Sequence, residues 1–338
     1  MNATVLVYGA AGHTGRFVVD ELVRRGLAPV LAGRSSDRLR DVARAHPSLE
    51  RRVLAADDDA HRALGGVGVV VNCAGPFLDT APALARAAVG VGAHYLDVSA
   101  EQASVLGLYR DLDAAARSAG VVVVPAMGFY GAIADLIVTA VLDGGRSADE
   151  VDVAIALDRW WPTAGTRATG ARNTAPRVVV RGGELAALDA SLAPRDWSFP
   201  APFGTVPVAP VPFGEVVAIA RHLDVGELRS LLSEAPLADL RDPTTPPPAG
   251  TDELGRSPQR FVVDVRVRGQ GRGRRAVLTG RDIYAVTAPV VAEGVVRLLD
   301  GRHAGPGALA PAEAFDAPDV LAHLVAATPD LELRAEFP

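Results

Sequence analysis

The feature that most constrains the fold is a glycine-rich turn that follows a short apolar strand. Val5–Tyr8 runs into Gly9-Ala-Ala-Gly12-His-Thr-Gly15, and an apolar-periodic stretch begins at Phe17. A strand, a glycine turn and a helix in this order place backbone N–H groups against a dinucleotide pyrophosphate. Glycine is needed because a Cβ would block the turn or the approach of phosphate oxygens. The predicted binding residues of this turn are Gly9, Ala11, Gly12, His13, Thr14 and Gly15.

The second half of the nucleotide signature lies about twenty residues further on. A second strand is predicted at Val30–Gly33, and Arg34 and Ser35 follow it. NAD-binding domains usually carry an acidic residue here for the ribose 2′-hydroxyl, whereas a guanidinium and a hydroxyl suit a 2′-phosphate. We therefore predict NADP(H) as the cofactor, with Arg34 and Ser35 on the phosphate. A solvated surface arginine is the alternative for Arg34.

Composition bounds the class of protein. With 338 residues, 49% of them hydrophobic, the chain is long enough for two domains. A net charge of −6 and an isoelectric point near 5.7 indicate no basic surface for nucleic acid or an anionic membrane. The start of the chain shows no secretory signal pattern, and no apolar run reaches the ~20 residues of a membrane span. We expect a cytoplasmic protein with a small-molecule substrate.

Residue types that are rare or missing exclude several kinds of chemistry. Cys73, the single cysteine, and the seven histidines show no spacing typical of a metal site, so we expect no metal. All 34 basic residues are arginine. The lack of lysine excludes Schiff-base chemistry, a pyridoxal phosphate anchor, a Walker lysine and a Tyr-x-x-x-Lys catalytic pair.

Short apolar strands alternate with helical stretches through residues 1–126. We predict strands near 52–55, 67–73, 94–98 and 121–125, and helices near 81–91 and 102–119. Strands rich in Val, Ile and Leu that are separated by helices indicate a parallel sheet covered on both faces. The expected fold class is α/β, with a doubly wound parallel sheet of the Rossmann type.

The pattern changes after Gly128. We predict a helix near 132–142 and more amphipathic strands near 151–157, 177–180, 216–221, 260–268 and 276–279. Such strands are typical of an antiparallel or mixed sheet with one wetter face. The proline-rich segment 242–250 is expected to be an extended surface connection. Two further helices are predicted near 285–299 and 318–325.

Four motifs occur in order along the chain. They are Gly9-Ala-Ala-Gly-His-Thr-Gly-Arg16, Val70-Val-Asn-Cys-Ala-Gly-Pro-Phe77, Gly92-Ala-His-Tyr-Leu-Asp97 with Glu101, and Gly280-Arg-Asp-Ile-Tyr-Ala-Val-Thr-Ala288. Together they resemble the saccharopine dehydrogenase (saccharopine reductase)-like superfamily, most strongly over 1–142 and 259–320. The resemblance implies an NADP-binding Rossmann domain formed by 1–130 and 284–338. It also implies an inserted α/β substrate domain, residues 131–283, that often forms a homodimer.

The second motif lies where a cofactor binds, because ligands of an open α/β sheet lie at the carboxyl ends of its strands. Asn72, Ala74, Gly75 and Pro76 follow the fourth strand and are predicted cofactor residues. The small Ala74 and Gly75 would let the backbone approach the nicotinamide ribose. A rigid loop turn is the alternative for Pro76.

Three acidic residues lie at the same predicted edge. Asp57 follows the third strand and is placed either to meet the adenine amine or to cap a helix. Asp97 and Glu101 lie at or beyond the end of the fifth strand, so we expect both to point towards the cleft. Asp97 is a predicted cofactor residue and Glu101 a candidate acid or base.

The turn after the sixth strand departs from the family pattern. Saccharopine-forming enzymes have Gly-x-x-Pro-Gly-x-x-Asp there, whereas this chain reads Gly128-Phe-Tyr-Gly-Ala-Ile-Ala-Asp135, with Tyr130 where proline is expected. A Cys-Gly-Gly pattern that resembles the amino-acid substrate loop is replaced by Leu157-Asp-Arg-Trp-Trp-Pro162. Saccharopine itself is therefore not the expected substrate.

Hydride transfer from a nicotinamide needs a dry pocket and usually a proton donor. Tyr130 or Glu101 is the predicted acid or base. Tyr130 would need a locally lowered pKa to donate its proton, and packing at the domain interface is its alternative. Candidate substrate-pocket residues are Arg159, Trp160, Trp161, Arg167 and Arg172, although exposed arginines are common in this chain.

Three functions stay open at this point. The first is an NADP(H)-dependent reductase of a C=N, C=C or C=O bond in a small, partly hydrophobic compound. The second is a cofactor-binding redox sensor without turnover. The third is an enzyme that uses NADP in a closed redox cycle. An enclosing second domain favours the first, since a sensor needs none.

Overall fold

The computed structural model describes residues 4–57, 59–189, 191, 193–269 and 271–336. Up to residue 124, strands and helices alternate, with one 3₁₀ turn at Ala60–Ala63. These elements are β1 (Thr4–Tyr8), α1 (His13–Arg24), β2 (Val30–Gly33), α2 (Ser36–Ala43), β3 (Arg51–Val53), β4 (Val67–Asn72), α3 (Phe77–Gly90), β5 (His94–Asp97), α4 (Gln102–Ala119) and β6 (Val122–Val124).

A π-helical turn at Phe129–Ile133 leads into the second half of the chain. Its elements are α5 (Ala134–Leu142), β7 (Ser147–Leu157), α6 (Ala164–Arg172), β8 (Val178–Arg181), β9 (Glu184–Ala187), β10 (Arg195–Ser198), β11 (Thr205–Pro210), α7 (Gly214–His222), β12 (Asp224–Ser233), α8 (Ala235–Arg241), β13 (Arg260–Gly269), β14 (Arg272–Arg281), α9 (Thr287–Leu299), β15 (Gly307–Ala308), α10 (Pro311–Ala314), α11 (Ala317–Ala327) and β16 (Glu332–Glu336).

The first sheet has seven strands in the order β15-β6-β5-β4-β1-β2-β3, and all its pairings are parallel. The internal strand β1 is buried on both faces, because Val5 and Val7 enter one hydrophobic core while Leu6 and Tyr8 enter another. Continuous apolar strands of this kind need helices on both sides. The predicted doubly wound parallel sheet is confirmed.

The second sheet has nine strands and is mixed, as predicted. Its main path is β10-β11-β12-β7-β13-β14-β16, and β8 and β9 branch from β12. β7 pairs in parallel with β12 and antiparallel with β13. The β10–β11 hairpin folds back over the outer face of the sheet, where the Trp197 indole donates to the Asp264 carboxylate on β13 at 2.9 Å. This hairpin therefore covers part of the face that helices leave open.

One predicted element has the wrong type. The segment 216–221, expected to be a strand, lies in the helix α7. Its apolar residues from Val216 to Ile219 are all buried, and an apolar run that is buried on every side has the same appearance in a helix and in a strand. The adjacent strand β12, which lies near the middle of the second sheet, was not predicted.

The position of the last strand, β16, differs from the predicted division of the chain into domains. β16 pairs antiparallel with β14, so it lies in the second sheet, although the division expected from the resemblance places 284–338 with the first. The segment 242–250 contains neither strand nor helix, since α8 ends at Arg241, and most of its residues are exposed. The predicted surface connection is therefore confirmed. The proline and glycine content of this segment explains why it continues neither element.

Candidate cofactor and substrate site

The glycine turn lies at the carboxyl end of β1, and α1 begins at His13. Gly9 has a φ of 81°, and a Cβ at Gly15 would overlap the Gly9 carbonyl oxygen. The helical bond of Arg16 runs to the Gly12 carbonyl, so the N–H groups before it belong to the first turn, which has no intrahelical acceptors. The turn fits a pyrophosphate because it offers close backbone approach, open donors and a positive helix end.

Polar groups gather at the end of β2, where the 2′-phosphate was predicted. Ser35 caps α2, since its hydroxyl accepts the Arg38 N–H at 3.4 Å. The Arg38 guanidinium donates to the Ala11 carbonyl at 3.5 Å, so it reaches from α2 to the glycine turn. Arg34 is exposed beside them. Arg38 was not predicted as a site residue, although its place one helical turn after Arg34 was an available signal.

Asp57 lies at the same corner of the sheet. Burial raises the pKa of Tyr8 at the end of β1; Asp57 also raises it, whereas the charge of Arg34 lowers it. Tyr8 therefore lies within electrostatic reach of both predicted residues. The Asp57 carboxylate accepts the Asp59 N–H at 3.1 Å, as in the capping alternative. Arg34, Ser35 and Asp57 thus converge on one end of the cleft.

Asn72 uses its side chain within the fold. Its carbonyl oxygen accepts the Ala74 N–H at 2.9 Å, and its amide donates to the Tyr95 hydroxyl at 3.1 Å and the Thr80 hydroxyl at 3.2 Å. Asn72 is also completely buried. It therefore shapes the turn after β4, and its polar atoms do not face the cleft as a direct cofactor contact would require.

Two turns and one distant helix meet beside Asn72. A Cβ at Gly9 would lie 2.9 Å from the Ala74 Cβ, so the turns after β1 and β4 are in contact. A Cβ at Gly75 would overlap the hydroxyl oxygen of Thr169 on α6. Pro76 precedes the first residue of α3. The predicted nicotinamide end of the cleft therefore borders a helix of the second half of the chain.

Asp97 does not point into the cleft, and this expectation was wrong. The residue is completely buried. One carboxylate oxygen accepts the N–H groups of Ser99 at 3.0 Å and Ala126 at 2.9 Å, and the other accepts the Tyr95 hydroxyl at 3.1 Å. Burial raises the pKa of Asp97 to about 6, although these bonds lower it. A buried carboxylate requires such donors, so Asp97 ties the end of β5 to the end of β6.

Glu101 is also buried, and the backbone holds both of its oxygens. Oε1 accepts the Phe77 N–H at 2.7 Å and Oε2 accepts the Leu78 N–H at 3.3 Å. A carboxylate is stabilised at these first N–H groups of α3 by hydrogen bonds and by the helix dipole. Burial raises its pKa, and the two backbone bonds lower it. The candidate acid or base is thus a cap that fixes the start of α3.

Tyr130 lies in the π-helical turn after β6, among aromatic side chains. Its ring centroid lies 5.6 Å from that of Trp160 and 4.2 Å from that of Phe213. Its hydroxyl oxygen is buried and has no hydrogen-bond partner within the described residues. Burial raises the pKa of Tyr130 well above its usual value, and the nearby Tyr284 adds to this. The lowered pKa that proton donation was expected to need is therefore not found.

Tyr284 joins the two halves of the site, and it was not predicted as a site residue. Its hydroxyl accepts the Trp160 indole N–H at 3.0 Å and bonds to the Thr166 hydroxyl at 2.9 Å. Its ring packs edge-on against His13, with centroids 5.3 Å apart. One side chain therefore contacts the glycine turn, α6 and the neighbour of Tyr130. Its place in the last of the four motifs was the available signal.

The arginines proposed for the substrate pocket are engaged in other contacts. Arg159 forms an ion pair with Asp239 at 3.0 Å, and Arg172 forms one with Asp79 at 2.9 Å. Arg167 donates to backbone carbonyl oxygens of the segment 240–245. Of the two predicted tryptophans, Trp160 enters the aromatic cluster and Trp161 lies under the Arg159 guanidinium.

Neither a group of metal ligands nor a membrane-spanning helix is found among the described residues. Within the described ranges, no three or more His, Cys, Asp or Glu side chains are grouped so that they could hold a metal ion. No helix in the described part of the chain is both long and apolar enough to cross a membrane.

Comparison with known proteins identifies the first part of the chain as a nucleotide-binding domain. The sequence model of the saccharopine dehydrogenase NADP binding domain matches residues 5–124. The matched residues contain almost all of β1 and the strands β2 to β6 of the first sheet, together with the glycine turn and Arg34. This part of the chain is therefore an NADP-binding domain, and NADP(H) is its cofactor. The glycine turn fits this cofactor, and so do Arg34, Ser35 and Arg38 at the end of β2.

Two curated proteins are similar to part of the chain. A lipid droplet localized protein of Caenorhabditis elegans is 36% identical over 146 residues, which are 39% of this chain and 34% of the relative. A saccharopine dehydrogenase-like oxidoreductase of Bos taurus is 29% identical over 156 residues, 39% of this chain and 35% of the relative. The chain therefore matches about a third of the length of these curated relatives.

A solved structure extends the likeness to the whole fold. Apo saccharopine dehydrogenase (L-Glu forming) from Saccharomyces cerevisiae superposes with a TM-score of 0.67 at 15% identity, covering 99% of this chain and 100% of that one. At this identity the match shows a shared fold. The mixed second sheet of this chain is therefore part of the saccharopine dehydrogenase architecture.

Proposed function

We propose that the protein is an NADP(H)-dependent oxidoreductase of saccharopine-reductase type. Its substrate is a small, partly hydrophobic compound other than saccharopine, with a C=N, C=C or C=O bond. The observation that carries this proposal is the buried Tyr130 hydroxyl, which lacks a hydrogen-bond partner within the described residues. A buried hydroxyl without a partner is unfavourable, and an acceptor atom of a ligand would supply one.

Different residues of the cleft bind different parts of the cofactor. The glycine turn and the start of α1 hold the pyrophosphate, and Arg34, Ser35 and Arg38 hold the 2′-phosphate. The missing Cβ of Gly75 leaves room beside the nicotinamide ribose. When bound, the reduced cofactor supplies a hydride. Glu101 contributes by fixing the start of α3, which borders the cofactor turn.

Tyr130 acts on the substrate. Because burial raises its pKa, its hydroxyl keeps the proton at neutral pH. We infer that it donates a hydrogen bond to the substrate atom on which negative charge develops, in a site from which Trp160 and Phe213 exclude water. A hydrogen bond aimed at developing charge accelerates a reaction without complete proton transfer. Tyr130 is therefore a better candidate than Glu101, both of whose oxygens the backbone holds.

The surroundings of Tyr130 favour an apolar substrate. Phe129 packs against Tyr130 and against Phe261, each with ring centroids 4.8 Å apart, which extends the aromatic cluster. Aromatic faces suit a ring or an acyl chain. The three candidate arginines of the pocket, Arg159, Arg167 and Arg172, are bonded to other partners. A small compound with an aromatic or acyl group is therefore the class that we propose.

The proposal is tested by following the absorbance of NADPH during incubation with candidate substrates. The candidates are imines, α,β-unsaturated carbonyl compounds, and aldehydes or ketones, each with an aromatic or short acyl group. We expect one class to oxidise NADPH. Product without net loss of NADPH would indicate a closed redox cycle, and bound NADPH without any turnover would favour a sensor.

A pair of matched variants tests the role of Tyr130. Tyr130→Phe should lower turnover by about a hundredfold, the usual effect of losing one such donor, with unchanged NADPH affinity. Tyr109→Phe is the control, because Tyr109 on α4 also has a buried hydroxyl without a partner among the described residues. Normal turnover in Tyr130→Phe would contradict the assignment.

We also propose a cytoplasmic homodimer built from two domains. The division into 1–130 plus 284–338 and 131–283 follows the superfamily pattern, with β16 assigned to the second sheet. The superfamily resemblance supports dimerisation through the second domain. Sedimentation velocity should give twice the chain mass of 35.0 kDa, and a monomer at micromolar concentration would contradict the dimer. Fluorescence microscopy of the tagged chain tests the location.

A further inference from the structure

Helix α6 is held in place without burying any of its residues. Each residue from Ala164 to Arg172 is at least partly exposed. The helix contains two glycines and has no apolar stripe. A nine-residue helix of this composition is not stable by itself in water, and most protein helices depend on an apolar face. The position of α6 therefore depends on polar contacts.

Those contacts come from three separate parts of the chain. The Thr166 hydroxyl bonds to the Tyr284 hydroxyl at 2.9 Å, and Arg172 pairs with Asp79 on α3 at 2.9 Å. Arg167 donates to backbone oxygens of the proline-rich segment at 2.9 and 3.0 Å. Arg172 and Asp79 are about half exposed, so solvent screens that ion pair. The Thr166 bond to the largely buried Tyr284 is the contact least open to competition by water.

The helix lies over the NADP(H) cleft. Thr169 occupies the space beside Gly75, in the turn after β4. Tyr284, which anchors α6, packs on His13 in the turn after β1. β1 and β4 are adjacent strands of the first sheet, and their two turns touch. α6 and its anchor therefore contact both of the turns that border the cofactor.

We propose that α6 is a lid over the nicotinamide end of the cleft and that Tyr284 is the positioning residue that latches it. The proposal rests on the NADP(H) site proposed above. The Tyr284 ring stays on the glycine turn, while its hydroxyl holds Thr166 of the lid and the indole of Trp160. Opening the lid breaks polar bonds and exposes little apolar surface, so α6 can open and reclose as NADPH enters and leaves. The closed lid retards release of the cofactor.

The latch predicts a graded effect on NADPH release. Tyr284→Phe keeps the ring and loses the hydroxyl bonds to Trp160, Thr166 and the Trp161 carbonyl, so the dissociation rate of NADPH should rise about tenfold. Thr166→Val keeps the other Tyr284 bonds and loses the hydroxyl bonds of Thr166 to Tyr284 and to Thr163, so it should raise the rate about threefold. Thr166→Ser keeps a hydroxyl and should retain the wild-type rate. Stopped-flow fluorescence during displacement of NADPH by excess NADP⁺ measures these rates, with Tyr109→Phe as the control.

Hydrogen exchange provides the readout that a merely structural role would not change. Saturating NADPH should slow amide exchange in 164–172 of the wild type, with a smaller change in Tyr284→Phe, while exchange in α4 stays constant. Unchanged exchange in 164–172, or a wild-type dissociation rate in both Tyr284→Phe and Thr166→Val, would overturn the lid. If the wild type bound no NADPH, the cofactor site would be overturned and the lid with it.

Discussion

The two sides of the cleft are built by different kinds of interaction. On the cofactor side, backbone geometry defines the site: Gly15 fits under the Gly9 carbonyl, and the turns after β1 and β4 touch. On the substrate side, side chains distant in sequence define it. Tyr284 bonds to Thr166 and Trp160, which lie 118 and 124 positions away.

The two sides of the cleft should therefore differ in how many substitutions they tolerate. A backbone turn with no space for a Cβ permits almost no substitution, whereas a side-chain network can be rebuilt residue by residue. The cofactor side therefore retains its motif, while the substrate side can acquire a new specificity on the same fold.

The largest expected effect tests the backbone side. Gly15→Ala should weaken NADPH binding by at least about a hundredfold, equal to about 3 kcal/mol, because the new Cβ overlaps the Gly9 carbonyl. Gly107→Ala on α4 is the control, since its Cβ would meet nothing within 4 Å. The control should bind normally and gain about 1 kcal/mol in free energy of unfolding. NADPH titration by fluorescence measures the affinity of both variants. Near-normal affinity in Gly15→Ala would contradict the assignment of the glycine turn as the pyrophosphate site.

The next effect tests how the cofactor side selects NADP(H). The double variant Arg34→Ala/Arg38→Ala should weaken NADPH binding by about thirtyfold and leave NADH binding unchanged, because charged hydrogen bonds to the 2′-phosphate are lost. The control is Arg44→Ala, an exposed arginine at the far end of α2 that pairs with Asp41. An equal loss for both nucleotides would show that these arginines act on the turn and not on the phosphate.

The same difference explains which parts of the structure can be predicted from the sequence. The strand, turn and helix around Gly9–Gly15 are predictable because the requirement for glycine is local. The helical structure of α7 was not predictable, because a completely buried apolar run has no period that distinguishes a helix from a strand. Asp97 lies at the expected edge, but donors from Ser99 and Ala126 turn its carboxylate inward. The contacts of Tyr284 depend on the packing of segments that are more than a hundred residues apart, which no local pattern encodes.

A smaller effect separates binding from packing within the substrate side. Tyr130→Phe removes a buried hydroxyl without a described partner, so the free energy of unfolding should rise by about 1 to 2 kcal/mol. Tyr284→Phe removes a hydroxyl with three bonded partners and should lower the free energy of unfolding by a similar amount. Urea denaturation measures both. A loss of stability in Tyr130→Phe would mean that its hydroxyl serves the fold, which would weaken the case for a substrate contact.

The smallest effect concerns a contact between α5 and α7 in the second half of the chain. His222 on α7 bonds to the buried Asp135 on α5 at 2.8 Å, and Asp135 also accepts the Ala312 N–H on α10. Burial lowers the pKa of His222, but the charge and hydrogen bond of Asp135, with Glu313, raise it overall, against a small opposing effect of Arg146. The aspartate shared with the family pattern thus has a partner that fixes the helix after Tyr130.

The sign of the pH dependence follows from that raised pKa. The folded protein binds the proton on His222 more tightly than the unfolded chain, whose histidines titrate near pH 6.5. The stabilisation is therefore complete below about pH 6.5 and is lost as the pH rises through the folded pKa. We expect the wild type to lose about 1 kcal/mol or less between pH 6 and pH 8.5, relative to His222→Gln. Urea denaturation at both pH values measures the difference. Because Asp97 and other groups titrate alike in both proteins, parallel pH profiles would show that His222 is neutral in the fold and that α5 and α7 are joined there without an ion pair.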